Sequence, residues 1–296
     1  MFKNLYKRFC DENIVGRFIF INIAVYIIVA FIGVFATLFG FNNEVDAFVR
    51  WFELPASFGT FICRPWTLFS YMFLHERIMH ILWNMLALYC FGRIFLSFFS
   101  LRHFVGVYLF GGIVGGLFFM LAYNLFPHFE GIVDSSFLIG ASASVLAIVV
   151  ASAVRSPNYV VNMALLGSMR LVTIAVITVV LSLLLLASEN AGGNFAHLGG
   201  AFAGWLFAFM LNKGKDMTVA INKIIDFFAT FFRRRVSRGK AKFTYQRNER
   251  TADYEYNARK KENDVEIDRI LEKIKAGGYA SLTDEEKKRL FDASNR

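Results

Sequence analysis

Residues 135–154 read "SSFLIGASASVLAIVVASAV", twenty positions without a single charge. Whether such a run is buried in a soluble core or in a bilayer decides the fold. Composition answers first. The chain has 296 residues, is 56% hydrophobic and carries 35 phenylalanines, more apolar surface than a soluble domain of this length can bury. A polytopic membrane protein is expected. Five further uncharged runs support this: Phe18–Asn43, Ile78–Gly92 extended past Arg93 to about Ser100, His103–Phe129, Leu171–Ser188 and Asn190–Asn212. Each run approaches the ~20 residues a helix needs to cross about 30 Å of hydrocarbon. The expected fold class is an all-α membrane protein, a bundle of six transmembrane helices with a small α-helical cytoplasmic appendix.

Charge sets the orientation. Lys3, Lys7, Arg8, Arg17, Arg102, Arg155, Arg170 and the basic tail from Lys213 fall on one side, which the positive-inside rule makes cytoplasmic. Glu44, Asp46, Glu53, Glu76, Glu130, Asp134 and Glu189 fall on the other, with Arg50, Arg64 and Arg77 as the basic exceptions. Both termini are expected in the cytoplasm, a pattern that fits the inner membrane of a bacterium. Residues 1–17 carry no small-residue cleavage signature and read as a cytoplasmic start rather than a cleaved signal. Cys10, Cys63 and Cys90 are odd in number and widely spaced, so neither a disulfide framework nor a thiolate metal site is indicated.

The bundle is expected over residues 18–212. Residues 213–242 form an interfacial segment: "MTVAINKIIDFFATFF" places Asn222, Asp226 and Thr230 on one stripe, and "RRRVSRGKAK" adds a polybasic anchor for an anionic inner leaflet. This basic run follows a membrane span directly, so a lipid surface and not nucleic acid is the expected partner. Residues 243–264 read as a polar linker. Residues 265–296 read as two short helices, the first stopped at Gly277 and Gly278, the second opened by a capping box of Thr283 and Glu286. This module is too small for an enzyme and is a candidate site for a cytoplasmic partner.

Depth can be counted from the charges that end each run. Ser142 precedes Arg155 by thirteen residues, which places it roughly 20 Å above the inner boundary. His197 precedes Lys213 by sixteen, roughly 24 Å up, and Asn84 lies about 27 Å above Arg102, with His80 one turn further on the same face. Four polar side chains from three helices thus converge in the outer half of the membrane, where polar burial is costly. Each has a plain explanation. Serines such as Ser144, Ser152 and Ser182 bond back to their own helix, and a histidine or asparagine can pin two helices together. Gly111, Gly112, Gly115, Gly116, Gly200 and Gly204 read as close-packing faces.

The combination favours chemistry. Ser142 falls in the first turn of its helix, where unpaired amides welcome negative charge, and Gly140 and Ala141 leave the backbone accessible. Ala143, Ala147 and Ala151 form one small stripe, Gly200 and Gly204 another, so the fourth and sixth helices can approach closely enough for a Ser142–His197 hydrogen bond. His80 and Asn84 would offer donors to a tetrahedral oxyanion. No acidic residue stands in these runs to orient His197, so the pair is a dyad.

These residues carry a resemblance. "HILWN" (80–84), "GASA" (140–143) and "AHLGGAFAG" (196–204) resemble the HxxxN, GxSx and AHxxGxxxG motifs of rhomboid intramembrane serine proteases, in the same order and on the same helices. The resemblance implies that Ser142 is the nucleophile and His197 the general base and acid. It implies that Asn84 and His80, with the Ser142 amide, hold the oxyanion, and that a water-filled cavity open to the outside feeds hydrolysis. The implied substrate is the transmembrane segment of another membrane protein, cut near the outer face. Trp66 fits the family's first-loop segment. Ala143 stands where glycine is frequent, Thr67 where arginine is, Leu96 where a glutamate is, and Leu146 where an aromatic supports the histidine ring. No metal, nucleotide or flavin is implied, for there is no phosphate loop, no HExxH and no intramembrane carboxylate pair. Two other classes stay open: a non-catalytic rhomboid-like binder of transmembrane helices, and a transporter using His197 as a proton relay.

Overall fold

A computed structural model describes residues 14–163 and 167–236 and, in the C-terminal part, 269–270, 272–275, 278 and 282–287. The chain divides into two units, Met1–Arg233 and Arg234–Arg296. The expected cytoplasmic start up to residue 13, the end of the polybasic run at 237–242 and the linker at 243–264 lie outside the described residues.

The apolar runs of the first unit are mostly helical. Helix α1 spans Ile14–Phe39, α2 Ile78–Leu96, α3 Leu101–Leu125, α4 Ser142–Arg155, α5 Leu171–Leu184 and α6 Ala191–Asn212. Helices α1, α2, α3 and α6 are long and apolar enough to cross a membrane. Helices α4 and α5 are apolar but have only 14 residues each, about 21 Å. That corrects the expectation that every run carries a helix of near-spanning length. The reason is local. The front of the fourth run is spent on an extended segment, where strand β1 (Leu54–Pro55) pairs antiparallel with β2 (Phe137–Leu138), and on a turn at Gly140 with φ of +120°. The fifth run ends early because the Asn194 side-chain amide donates to the Leu185 carbonyl at 2.7 Å and the chain turns back through Ser188.

Helix α4 sits at the centre. Every residue from Ala143 to Ala153 is buried, and α3 and α6 pack directly against it. Small residues make this possible. A Cβ on Gly200 would run into the Ala143 carbonyl oxygen and one on Gly204 into that of Ala147, so α6 rests on the α4 backbone. On the other flank Gly111 faces Ala147, and Gly115 faces both Ala143 and the Ala196 carbonyl. In lipid, where apolar side chains gain little by leaving the solvent, such close van der Waals packing is what holds helices together.

Outside this core the surface is apolar. Along α1, Ile27, Phe31 and Leu38 are exposed, the last at 74%, and α5 exposes Val176, Leu181 and Leu184. Helix α1 is fastened at its start: Phe18 packs edge-on against Phe104 and Tyr108, and the buried Asn22 amide donates to the Phe18 carbonyl and the Tyr108 hydroxyl. Between α1 and α2 the chain forms short helices at Asn42–Arg50, Phe58–Cys63 and Thr67–Ser70. Here the Trp66 indole donates to the Trp51 carbonyl at 2.8 Å and stacks on the Trp51 ring, whose face carries the Arg64 guanidinium. Between α4 and α5, strand β3 (Val160–Met163) pairs antiparallel with β4 (Gly167–Arg170).

Helix α7 (Val219–Val236) follows α6. Part of its polar stripe reaches α3. The Asn222 amide donates to the Arg102 carbonyl, Asp226 pairs with the Arg102 guanidinium at 3.3 Å, and Thr218 packs on Gly106 of α3. Just before it, Asp216 accepts the Thr218 amide and hydroxyl and lies 3.2 Å from His103 Nε2. Ile224 and Phe227 are exposed. In the second unit the Thr283–Glu286 capping box is present, reinforced by Lys273 on the Glu286 carboxylate, and Ile270 and Leu282 are buried.

Gly204→Val forces α6 off the α4 backbone and is expected to cost about 1–3 kcal/mol or more, read as a lower melting temperature in detergent. Gly33→Ala, where a Cβ meets nothing within 4 Å, is the control and should not lower it. Burial opposes ionisation of Asp216, but its bonds from Thr218 and His103 outweigh this and hold its pKa below the ordinary 3.8. A depressed carboxylate stabilises the fold above its unfolded value, and this contribution disappears as the pH drops from 3.8 through the lower folded value. Hydrogen exchange along residues 219–230 should therefore accelerate below about pH 4, and Asp216→Ala should produce the same loss at neutral pH.

Candidate active site

The segment entering α4 is held from two sides. The β1–β2 pairing and the Ala56 amide on the Ser136 carbonyl fix its approach, and the Gly140 amide donates to the Tyr71 carbonyl at 2.9 Å. Tyr71 is itself anchored by its hydroxyl on the Gly112 carbonyl of α3. The positive φ at Gly140 turns the chain so that α4 begins at Ser142. The first bond closing the helix runs from the Val145 amide to the Ala141 carbonyl, so the amides of Ser142, Ala143 and Ser144 precede the intrahelical ladder. This is the positive end of the helix dipole.

Because α6 lies against α4 through Gly200 and Gly204, the helical turn above carries His197 to Ser142. The Ser142 Oγ and His197 Nε2 are 2.8 Å apart, a hydrogen bond the hydroxyl donates when Nε2 is unprotonated. On the other side of the ring, Nδ1 lies 3.3 Å from the Ser182 Oγ of α5. The other two residues singled out by the sequence are on α2. The His80 ring lies over Gly140, where an added Cβ would meet its Nε2 at 2.7 Å, while a Cβ there would be 3.9 Å from Ser142 Oγ. Asn84 is buried and donates its side-chain amide to the His80 carbonyl at 2.9 Å.

All four residues line one cavity of about 470 Å³. Its other walls are mostly apolar: Met79, Trp83 and Phe91 from α2, Val145 and Val149 from α4, and Ile174 with Thr178 from α5. Polar groups converge on Ser142 in an otherwise greasy pocket, the usual make-up of a site that binds and reacts. A hydroxyl hydrogen-bonded to an imidazole, beside free helix-start amides, can act as a nucleophile with its base and an anion-stabilising dipole in place.

Three serines were expected to bond back to their own helices. Ser152 does, to Ile148, and Ser182 does, to Thr178, but Ser182 also reaches His197. Ser144 departs from the expectation, for its buried hydroxyl has no partner among the described residues and faces Gly112 of α3. His75, not singled out by the sequence reading, is buried edge-on to His80 with ring centroids 5.0 Å apart.

Residues 63–214, just over half of the chain, match the Rhomboid domain family. Residues 250–296 match a family of unknown function, DUF6576. No curated protein matches the chain.

Gly140→Ala would strain the backbone at a positive φ and push a methyl into His80. Such strain costs about 1–3 kcal/mol, to be measured as a fall in melting temperature accompanied by a shift of the His80 side-chain resonances. A variant as stable as the parent, with His80 unmoved, would contradict the constraint.

Proposed function

The chain belongs to the rhomboid family, and from that premise we propose that it is an intramembrane serine endopeptidase in which Ser142 and His197 form the catalytic dyad. The observation that carries the reading is the 2.8 Å contact between Ser142 Oγ and His197 Nε2 at the wall of the cavity. The substrate is a transmembrane segment of another membrane protein, entering with its backbone locally unwound, because a helix hides its carbonyls in hydrogen bonds. With six spans and both termini in the cytoplasm, as the charge distribution supports, cleavage falls near the outer face of the membrane.

The chemistry follows from the geometry. His197 Nε2 takes the hydroxyl proton as Ser142 Oγ attacks the scissile carbonyl carbon. The resulting oxyanion forms beside the Ser142 amide, and the Asn84 amide and the His80 ring are the side-chain donors within reach. Asn84 turns from the His80 carbonyl towards the developing charge, a change that occurs only when the charge forms. Each such donor is worth about 3–4 kcal/mol in acyl transfer. His197 then hands its proton to the leaving amine, the C–N bond breaks, and water activated by the same imidazole releases the acyl group and restores Ser142.

Outside the bundle, α7 and the basic residues that follow it rest on the anionic inner leaflet, and the C-terminal module is a docking site for a cytoplasmic partner.

Cleavage of a transmembrane substrate in detergent, with fluorophosphonate labelling in parallel, tests the dyad. Wild type should cleave and label. Ser142→Ala should lose both, and His197→Ala should cut at least about 10⁴-fold more slowly. Asn84→Ala should lose about 10²–10³ in kcat. A folded wild type that neither labels nor cleaves would sink the protease reading and leave transmembrane-helix binding without hydrolysis in its place.

A further inference from the structure

We infer that Ser182, on α5, is the positioning residue of the dyad: its hydroxyl accepts the His197 Nδ1 proton and thereby fixes the tautomer in which Nε2 is free to act on Ser142. The inference rests on the protease reading of the same site.

A serine hydroxyl has one proton and two acceptor lone pairs. The Ser182 proton is committed, because its Oγ donates at 3.0 Å to the Thr178 carbonyl, which can only accept. What Ser182 presents to His197 Nδ1, 3.3 Å away, is therefore a lone pair. A neutral imidazole carries one N–H. Facing an acceptor at Nδ1, the ring places its proton there, and the lone pair of Nε2 points at Ser142 Oγ, 2.8 Å distant. The reverse tautomer would require Ser182 to abandon Thr178 and would set the Nε2 proton against the hydroxyl it has to deprotonate. Ser182 is 3% exposed, so bulk water does not compete for either bond.

Among the described residues nothing else takes this role. Helices α5 and α6 contain no Asp or Glu, and the residue one turn after Ser142 is the aliphatic Leu146. A neutral hydroxyl on α5 stands where a carboxylate orients the ring in a Ser-His-Asp triad. When His197 becomes an imidazolium, the Nδ1–H···Oγ bond becomes charge-assisted and strengthens. Its benefit is realised as the charge forms, so it belongs in kcat rather than KM. The arrangement also ties three helices to one proton transfer, with the nucleophile on α4, the base on α6 and the orienting group on α5.

The test uses the full-length protein. Ser182→Ala should lower kcat and the fluorophosphonate labelling rate of Ser142 together, by about 10- to 100-fold. KM and melting temperature should stay near wild type. Ser182→Thr, which retains the hydroxyl, should recover most of the loss. Nitrogen-15 histidine spectra, with His197 assigned by its absence in His197→Ala, should show Nδ1 protonated in wild type and a mixture of tautomers in Ser182→Ala. Unchanged kcat in Ser182→Ala beside an active wild type overturns the inference, as does a wild-type His197 protonated at Nε2. The spectra need no turnover: a wild type that neither cleaves nor labels would defeat the protease reading, while the tautomer would still decide the part played by Ser182.

Discussion

The contact on which the rest depends is backbone on backbone, where Gly200 and Gly204 of α6 lie against the Ala143 and Ala147 carbonyls of α4. No side chain fits between them. A methyl at either glycine would separate the helices, and the imidazole one turn above would leave the serine. The same economy of volume recurs on α3, where Gly111 and Gly115 receive Ala147 and Ala143. Close packing and hydrogen-bond reach are therefore one requirement here. The residues that hold the bundle together are the residues that bring Ser142 and His197 within 2.8 Å.

Around that contact the polar groups form a connected path. Gly112 of α3 accepts from Tyr71, whose carbonyl receives the Gly140 amide, and Gly140 lies under His80. On the far side His197 meets Ser182, which meets Thr178. In a low-dielectric interior each of these bonds is costly to break without replacement, so the site is rigid where its geometry matters. Ser144 is one exception, its hydroxyl without a partner among the described residues.

Much of this was legible in the sequence, because the bilayer enforces simple rules. Counting from the charges that end each run placed Ser142, His197, His80 and Asn84 at similar depth, and the glycine and alanine spacing identified which helices touch. The start of α4 at Ser142 was legible, but the length of α5 and the strand pairing ahead of α4 were not. Hydropathy does not register that residues 137–138 pair as a strand with Leu54–Pro55, or that Gly140 turns the chain. From the sequence Ser182 reads as a serine bonding to its own helix, which is true and incomplete. The depth count held the missing signal: Ser182 follows Arg170 by twelve residues, roughly 18 Å up and close to the level of Ser142 and His197. The docking of α7 was half visible. Its polar stripe was apparent, but not that Arg102 of α3 would receive Asn222 and Asp226.

The contrast between α1 and α4 bears on the order in which a ribosome delivers them. In α1, mean hydropathy is 2.7 over its most apolar window and only 11% of that window is buried by protein, so it is content in lipid alone. Helix α4 is the opposite, buried along its length, with serine hydroxyls and a backbone face that only neighbours can cover. It emerges after α3 but before α6, the helix that covers it and carries His197. Until the sixth helix has been made, Ser142 has no imidazole beside it, and a nascent chain paused anywhere earlier leaves one backbone face of α4 uncovered.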